Sequence, residues 1–397
     1  MRDYEAQEQE FWARLTEQGM SRSQMLRRSA TAAFGLTVIS SPAAALAARS
    51  SNRTSTPPAS GDDISMSELI SEARKEGRIN TIALPPDWAN YGEIISTFKQ
   101  KYGLSLTDAN PDGSSADENT AITSLKGSSR APDVVDVGPA FAIQGAQQGL
   151  YAPYKVTTWS SIPANMKDAK GHWWGDYWGA ISIGYNSKLV NPAPTSFADL
   201  MNSAYKGQVA MNGSPLTSGS AVAGVFAAAL ANGGSLDNVA PGVQFFGKLK
   251  SSGNFITVQS TPQTVASGQT PISIDWDYLN LAYGKEYPAA DWKTVIPKDG
   301  VYGAFYAQAI NANAPNPWAA RLWEEFLYSD QGQLLFLGGY SHPARFPDLS
   351  KRNKIPASML AVLPPASLYA KVKFASDAQQ TAAKAKIAGD WPSIIGA

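Results

Sequence analysis

The sequence predicts an α/β protein with mostly parallel sheets covered by helices on both faces. Its 397 residues, 44% hydrophobic and 17% charged, give enough apolar material for two or three domains. From Ile64 onward, strand-like and helix-like stretches alternate steadily, the pattern that yields parallel sheets. Glycines stand where the helical patterns should stop, as Gly77 and Gly103 do.

The N-terminus carries a different signature. Arg22, Arg27 and Arg28 form a basic region, Ala30–Ile39 is an apolar stretch, and Ala45-Leu46-Ala47 fits a small-residue cleavage site. About ten apolar residues are too few to cross a bilayer as a helix. Residues 1–47 are therefore expected to be a signal peptide with an N-terminal extension, cleaved near Ala47, and the mature protein to be exported to the periplasm. Ser21–Arg27 resembles a twin-arginine export motif, with Ser23 in place of the second arginine and Met25 in place of the phenylalanine. Met20 is an alternative start that would give a conventional leader. Residues 48–63 are rich in Ser, Thr and Pro and lack hydrophobic periodicity, which predicts a flexible linker.

The ordered chain then begins. Ser67–Glu76 has helical composition, Ile79–Leu84 is strand-like, and Asn90–Tyr102 places Ile94, Phe98 and Tyr102 at helical spacing. Further strands are expected at 133–137, 180–185, 208–211, 272–274, 294–296 and 303–310, with helices near 142–149, 197–203, 218–232, 241–252, 316–329 and 376–389.

Sheets of this kind bind ligands beyond the carboxyl ends of their strands. The strand-end loops are Leu84–Gly92, which is aromatic; Asn110–Ala116, rich in Gly and Ser; Asp136–Pro139; and Asn212–Ser220, which opens an Ala-rich helix capped by Ser218 or Ser220. A helix start offers free N–H groups to a carboxylate or phosphonate, although for any one loop plain capping is the stronger account. The most pointed signal is Ile274-Asp275-Trp276-Asp277-Tyr278, where two carboxylates bracket an indole at a strand end. Carboxylates with π faces suit an ammonium group, a pairing worth about 2 kcal/mol once water is excluded, and a strand end with solvated acids and core aromatics is the equal alternative.

Several function classes are excluded or disfavoured. Lys+Arg and Asp+Glu both number 33, so no basic field points to nucleic acid. With no cysteine, thiolate nucleophiles, disulfides and iron–sulfur clusters are impossible. His172 and His342 have no ligand-spaced companion, and structural or solvent-facing roles are expected. No Gly-x-Ser-x-Gly elbow or His-Glu-x-x-His helix occurs, and Gly242–Leu249 matches a Walker A string only until Leu249 replaces the Ser or Thr. No catalytic, metal or cofactor site is expected.

Ile94–Gly103, Ala131–Asp136, Gly149–Tyr154, Gly179–Asn186, Thr195–Leu200 and Ala314–Gln333 together resemble the extracellular solute-binding proteins of ABC importers, in the type II group that includes spermidine/putrescine, γ-aminobutyrate, aminoethylphosphonate and ferric-iron receptors. The resemblance covers nearly the whole mature chain. It implies a two-lobed type II periplasmic-binding-protein fold with a hinge of crossing strands at Gly179–Asn186 and Gly303–Ile310. It also implies lobe 1 from 64–182 plus 303–335, and lobe 2 from 183–302 plus 336–397. Partners would be a small solute and an inner-membrane permease, without nucleic acid, and the protein would be a monomer. The ligand candidates that the resemblance implies are Trp88, Tyr91, Ser114, Ser115, Asn212, Ser218, Asp275, Trp276 and Asp277, with Tyr302 and Tyr306 beside the return crossover. Trp173, Trp174, Tyr177 and Trp178 are expected to pack the hinge. Asp275 or Asp277 would pair with an ammonium, and the absence of a visible second acidic cluster favours a zwitterion such as γ-aminobutyrate over a polyamine. Arg130 and Arg345 are available in principle for a carboxylate. Ferric-iron receptors use adjacent tyrosines, whereas Gly339-Tyr340-Ser341 offers one.

Overall fold

A computed structural model describes residues 56–369 and 371–396; the predicted export segment and the start of the linker lie outside them. Residues Pro57–Ile355 and Ala361–Ala397 form one compact unit. In the other unit, Ala357–Leu360 forms a short helix.

The first α-helix among the described residues, α1 (Met66–Glu76), is capped by Ser65 and stopped by Gly77, whose φ of 73° suits a residue without a side chain. It feeds β1 (Arg78–Ile82), which pairs in parallel with β2 (Ser105–Ala109) across α2 (Tyr91–Tyr102). Next come α3 (Ser115–Ser124), β3 (Val134–Val137), α4 (Pro139–Gln147) and β4 (Tyr151–Ala152). The chain then leaves this region through β5 (Trp174–Asn186), thirteen residues long and almost entirely buried. The second region contains β6 (Val209–Met211), α5 (Gly219–Ala231), α6 (Ala240–Ser251), β7 (Phe255–Gln259), α7 (Pro262–Ala266), β8 (Ile272–Trp276), α8 (Asp277–Glu286) and β9 (Trp292–Val295). Return is through β10 (Gly303–Asn311), followed by α9 (Pro317–Leu327), α10 (Asp330–Gly338), β11 (His342–Pro343), α11 (Phe346–Lys351), α12 (Ala366–Tyr369) and α13 (Asp377–Ile394).

The expected parallel pairs are present as β1–β2, β6–β7 and β6–β8. The crossing strands add antiparallel pairs, which makes the main sheet mixed rather than mostly parallel. An outgoing strand and a returning strand run in opposite directions, and β5 and β10 pair accordingly, Gly303 opposite Ala180 and Phe305 opposite Trp178. The first half of β5 also holds β11, whereas its second half holds β8 and β9. One strand thus belongs to both halves of the molecule.

Three other features add to the sequence-based expectations. The described end of the linker makes hydrogen bonds to the rest of the chain. Lys155 N–H donates to the Ala59 carbonyl, Gly61 N–H donates to the Lys155 carbonyl, and the Arg321 guanidinium donates to the Pro58 carbonyl over 2.6 Å. In the segment 342–352, His342 pairs with Trp178 of β5 and Arg352 binds Asp330 of α10. Strands β2 and β7 have no counterpart in the expected set, because their alternating partial exposure leaves only one face to bury. Gly242–Leu249 lies inside helix α6, as its apolar spacing indicates.

Candidate functional site

A cavity of about 750 Å³ opens where the carboxyl ends of several strands meet. Its wall is built from the segments after β1 (Ala83–Trp88), β2 (Pro111–Ser115), β6 (Asn212–Ser220) and β7 (Ser260–Gln263), together with Asp136 near the end of β3. Tyr306 of β10 and one face of α8, with Leu279, Tyr283 and Glu286, complete it. The segments after β2 and β6 meet across the cavity, where Ala116 N–H donates to the Thr217 carbonyl over 3.3 Å. The backbones approach so closely nearby that a methyl group on Gly138 would lie 2.9 Å from the Gly219 Cα.

Six sequence-predicted residues come together on this wall: Trp88, Ser114, Ser115, Asn212, Ser218 and Tyr306. Tyr91, Asp275, Trp276, Asp277 and Tyr302 do not line it. The reason for the Asp-Trp-Asp stretch is local. Strand β8 runs directly into α8 with no loop between them, so these side chains are held inside the protein. Asp277 accepts from the backbone N–H of Ala180 and Tyr278 and from the Tyr369 hydroxyl, the last over 2.6 Å. Asp275 sits one layer behind the wall and accepts from the Asn212 amide over 3.1 Å. Trp276 donates to Ser220 and stacks on Tyr278, while Tyr302 stacks on Phe226 and accepts from Gln380.

The hydroxyls at the helix starts are already engaged. Ser114 and Asp117 form a reciprocal cap on α3, so the protein's own carboxylate occupies that helix terminus. Ser115 accepts from Gly138 N–H, and Ser218 caps α5 while donating to the Asn212 carbonyl. These termini consequently offer little to an anion. Arg345 is buried against Ser161, Tyr328 and Asp348, away from the cavity, and Arg130 is exposed outside it.

The acids are the residues that sequence reasoning missed. Asp87, Asp112, Asp117, Glu118, Asp136 and Glu286 all line the cavity, and among the described residues no lysine, arginine or histidine does. Asp87, Asp112 and Asp136 stand in the strand-end loops singled out above, so loop position was the available signal. Glu118, on α3, accepts from Asp136 N–H over 2.8 Å, and burial followed by the Asp136 charge pushes its carboxyl well above the usual range. Asp136 receives the hydroxyls of Tyr91 at 2.7 Å and Tyr177 at 3.0 Å on one oxygen, while its other oxygen is buried with no hydrogen-bond partner among the described residues. Burial raises its carboxyl, and burial together with the Asp136 charge raises that of Asp176, which lies behind it. Burial likewise lifts Asp275 to about 7 and Asp277 to about 6. Among the described residues, no cation hydrogen-bonds to any of these buried acids.

An aromatic wall backs the acids. Trp88 packs edge-on against Tyr306 and Tyr278, and its indole N–H reaches Tyr177. Tyr283 and Tyr287 line the side near α8. The arrangement is acidic and flanked by π faces, the composition that attracts organic cations.

The fold is shared with known structures at low identity. The periplasmic binding protein AfuA from Actinobacillus pleuropneumoniae, solved with fructose-6-phosphate, matches with a TM-score of 0.65 and 17% identity over 81% of this chain and 99% of that one. Iron-bound HitA from Pseudomonas aeruginosa gives 0.61 and 19% over 80% and 99%, and a GABA receptor gives 0.59 and 18% over 80% and 96%. The profile of the bacterial extracellular solute-binding protein matches residues 129–364, more than half of the sequence. With that match and a two-lobed fold common to periplasmic binding proteins, the chain belongs to the bacterial extracellular solute-binding protein family.

Proposed function

We propose that this protein is the periplasmic receptor of an ABC importer and that it captures a small organic cation carrying two or more ammonium groups, a diamine or polyamine. The single observation that supports the ligand class is the cavity lining: six carboxylates and no basic side chain among the described residues. A buried ammonium is stable only beside carboxylates, and the reverse is equally true. A zwitterion such as γ-aminobutyrate, favoured by the sequence for want of a second acidic cluster, would bring a carboxylate into this acidic field. The helix termini that would receive it are occupied by Asp117 and Ser218.

Binding between the lobes would favour a closed form to the extent that this form holds the ligand more tightly than the open one, and a permease would recognise it. Capture is reversible, without covalent change in the solute. The test is a thermal-shift and calorimetric screen with putrescine, spermidine, γ-aminobutyrate, a sugar phosphate and ferric citrate. Putrescine or spermidine at a hundred times its dissociation constant should stabilise the protein by about 2.7 kcal/mol. Stabilisation by γ-aminobutyrate or an anion, with none by either amine, would overturn the reading, and so would chemical turnover of the amine.

A further inference from the structure

We propose that Asp136, Asp176 and Glu118 hold a shared proton when no ligand is bound, and that an incoming ammonium group displaces it, so that capture exchanges a cation for a proton. The inference rests on the reading of this cavity as an amine site. Its geometric basis is the cluster itself. Asp136 stands on the cavity wall, 5% exposed, with one carboxyl oxygen unpartnered, and the Tyr91 hydroxyl lies 2.7 Å from Asp136 and 3.3 Å from Asp176. One hydroxyl hydrogen cannot serve both carboxylates. Glu118 completes the group through the Asp136 backbone N–H.

Every element around the cluster supplies neutral or acidic groups. They are Tyr91 from α2, Tyr177 from β5, Gln308 from β10, Asp117 from α3 and Asp108 from β2. Tyr278 from α8, Tyr306 from β10, and Glu324 and Tyr328 from α9 and the residue after it also feel the Asp136 charge. None is a cation. Three buried carboxylates without a counter-charge cannot all ionise, and protonation is the cheapest neutralisation. Burial raises all three carboxyls in this structure, and the Asp136 charge adds to the rise at Glu118 and Asp176. An ammonium entering beside Asp136 on the cavity wall replaces that neutralisation. The carboxyl O–H bond breaks, its proton passes to solvent, and an ammonium N–H donates to the carboxylate.

Infrared spectroscopy and calorimetry test this on the whole exported protein. At about pH 6 the ligand-free protein should show a protonated-carboxyl C=O stretch that weakens in Asp136→Asn and in Glu118→Gln, and that diminishes when putrescine is added. Calorimetry in two buffers of different ionisation enthalpy should report about one proton released per putrescine at pH 6 and none at about pH 9. The affinity should rise about tenfold per pH unit below the transition. Absence of the stretch from the ligand-free wild type overturns the proposal whatever the ligand. Putrescine binding without proton release overturns the exchange but leaves amine capture standing, whereas no amine binding at any pH overturns both.

Discussion

The indole N–H of Trp88 donates to the Tyr177 hydroxyl over 2.6 Å, and that hydroxyl donates to Asp136 over 3.0 Å. A residue of the cavity wall is thereby tied to the crossing strand and to the acid cluster at once. Tyr177→Phe would remove the acceptor for the indole and one of two donors to Asp136. The expected cost is about 1–3 kcal/mol of stability, with putrescine affinity reduced several-fold because Trp88 loses its fixed orientation. Urea denaturation and calorimetry read the two effects; unchanged midpoint and affinity would show that the chain of hydrogen bonds is inconsequential.

The two acids of the Asp-Trp-Asp stretch should behave differently. Asp277 serves the backbone of Ala180 and the start of α8, so Asp277→Asn should lower stability by about 1–3 kcal/mol while amine affinity stays within about threefold. Asp275 orients the amide of Asn212, which lines the cavity, so Asp275→Asn should weaken putrescine binding about tenfold, or 1.4 kcal/mol. Equal effects of both variants on affinity would place the ammonium elsewhere than this arrangement suggests.

Ligand-free stability should fall as the solution becomes alkaline. Burial is the leading cause for Asp275 and Glu76, both lifted to about 7, and for Asp133 and Asp277, both lifted to about 6. A carboxyl raised in the folded state binds a proton that the unfolded chain has already lost. The stability it provides is fully present below the unfolded value of about 4 and disappears as pH rises through 6 to 7. Asp330 and Asp348, held low chiefly by hydrogen bonds from Arg352, act in the opposite sense, losing their contribution only below about pH 4. The urea midpoint should therefore be higher at pH 5 than at pH 8, and a higher midpoint at pH 8 would contradict the assignment.

Much of the fold was legible in the sequence because its signals are local: the cap at Gly77, the helical spacing of Ile94, Phe98 and Tyr102, and the buried apolar runs of β5 and β10. The strands β2 and β7 escaped because their burial depends on neighbours distant in sequence. The site was legible at the level of loops, and Trp88, Ser114 and Asn212 do face one cavity. Its chemistry was not. Asp275 and Asp277 advertise a charged turn, yet whether a strand ends in a loop or enters a helix at once decides whether such acids meet solvent. Glu118 and Asp136, eighteen residues apart, become neighbours only when α3 folds against β3.

Closure should depend on the bare backbone at Gly138. A methyl group there would come within 2.9 Å of the Gly219 Cα, nearer than a real Cβ approaches another atom. Gly138→Ala should hold the two sides of the cavity further apart, raise the radius of gyration of the amine-loaded protein in X-ray scattering, and lower affinity about tenfold. Identical scattering and affinity would show that the approach is not needed for capture.

The double membership of β5 also limits how this protein can change its length. Side chains alternate between faces along a strand, so one residue added or lost near Gly179 would reverse the facing of every later side chain in the strand. Trp174–Gly179 would keep its partners on β10 and β11, while Ile181–Asn186 would present the wrong face to β8 and β9. The turn at Asn110–Gly113, on the rim, carries no such constraint and can vary in length. Among proteins descended from a common ancestor with this one, insertions should therefore accumulate at the mouth of the cavity and be absent from the thirteen residues that both halves share.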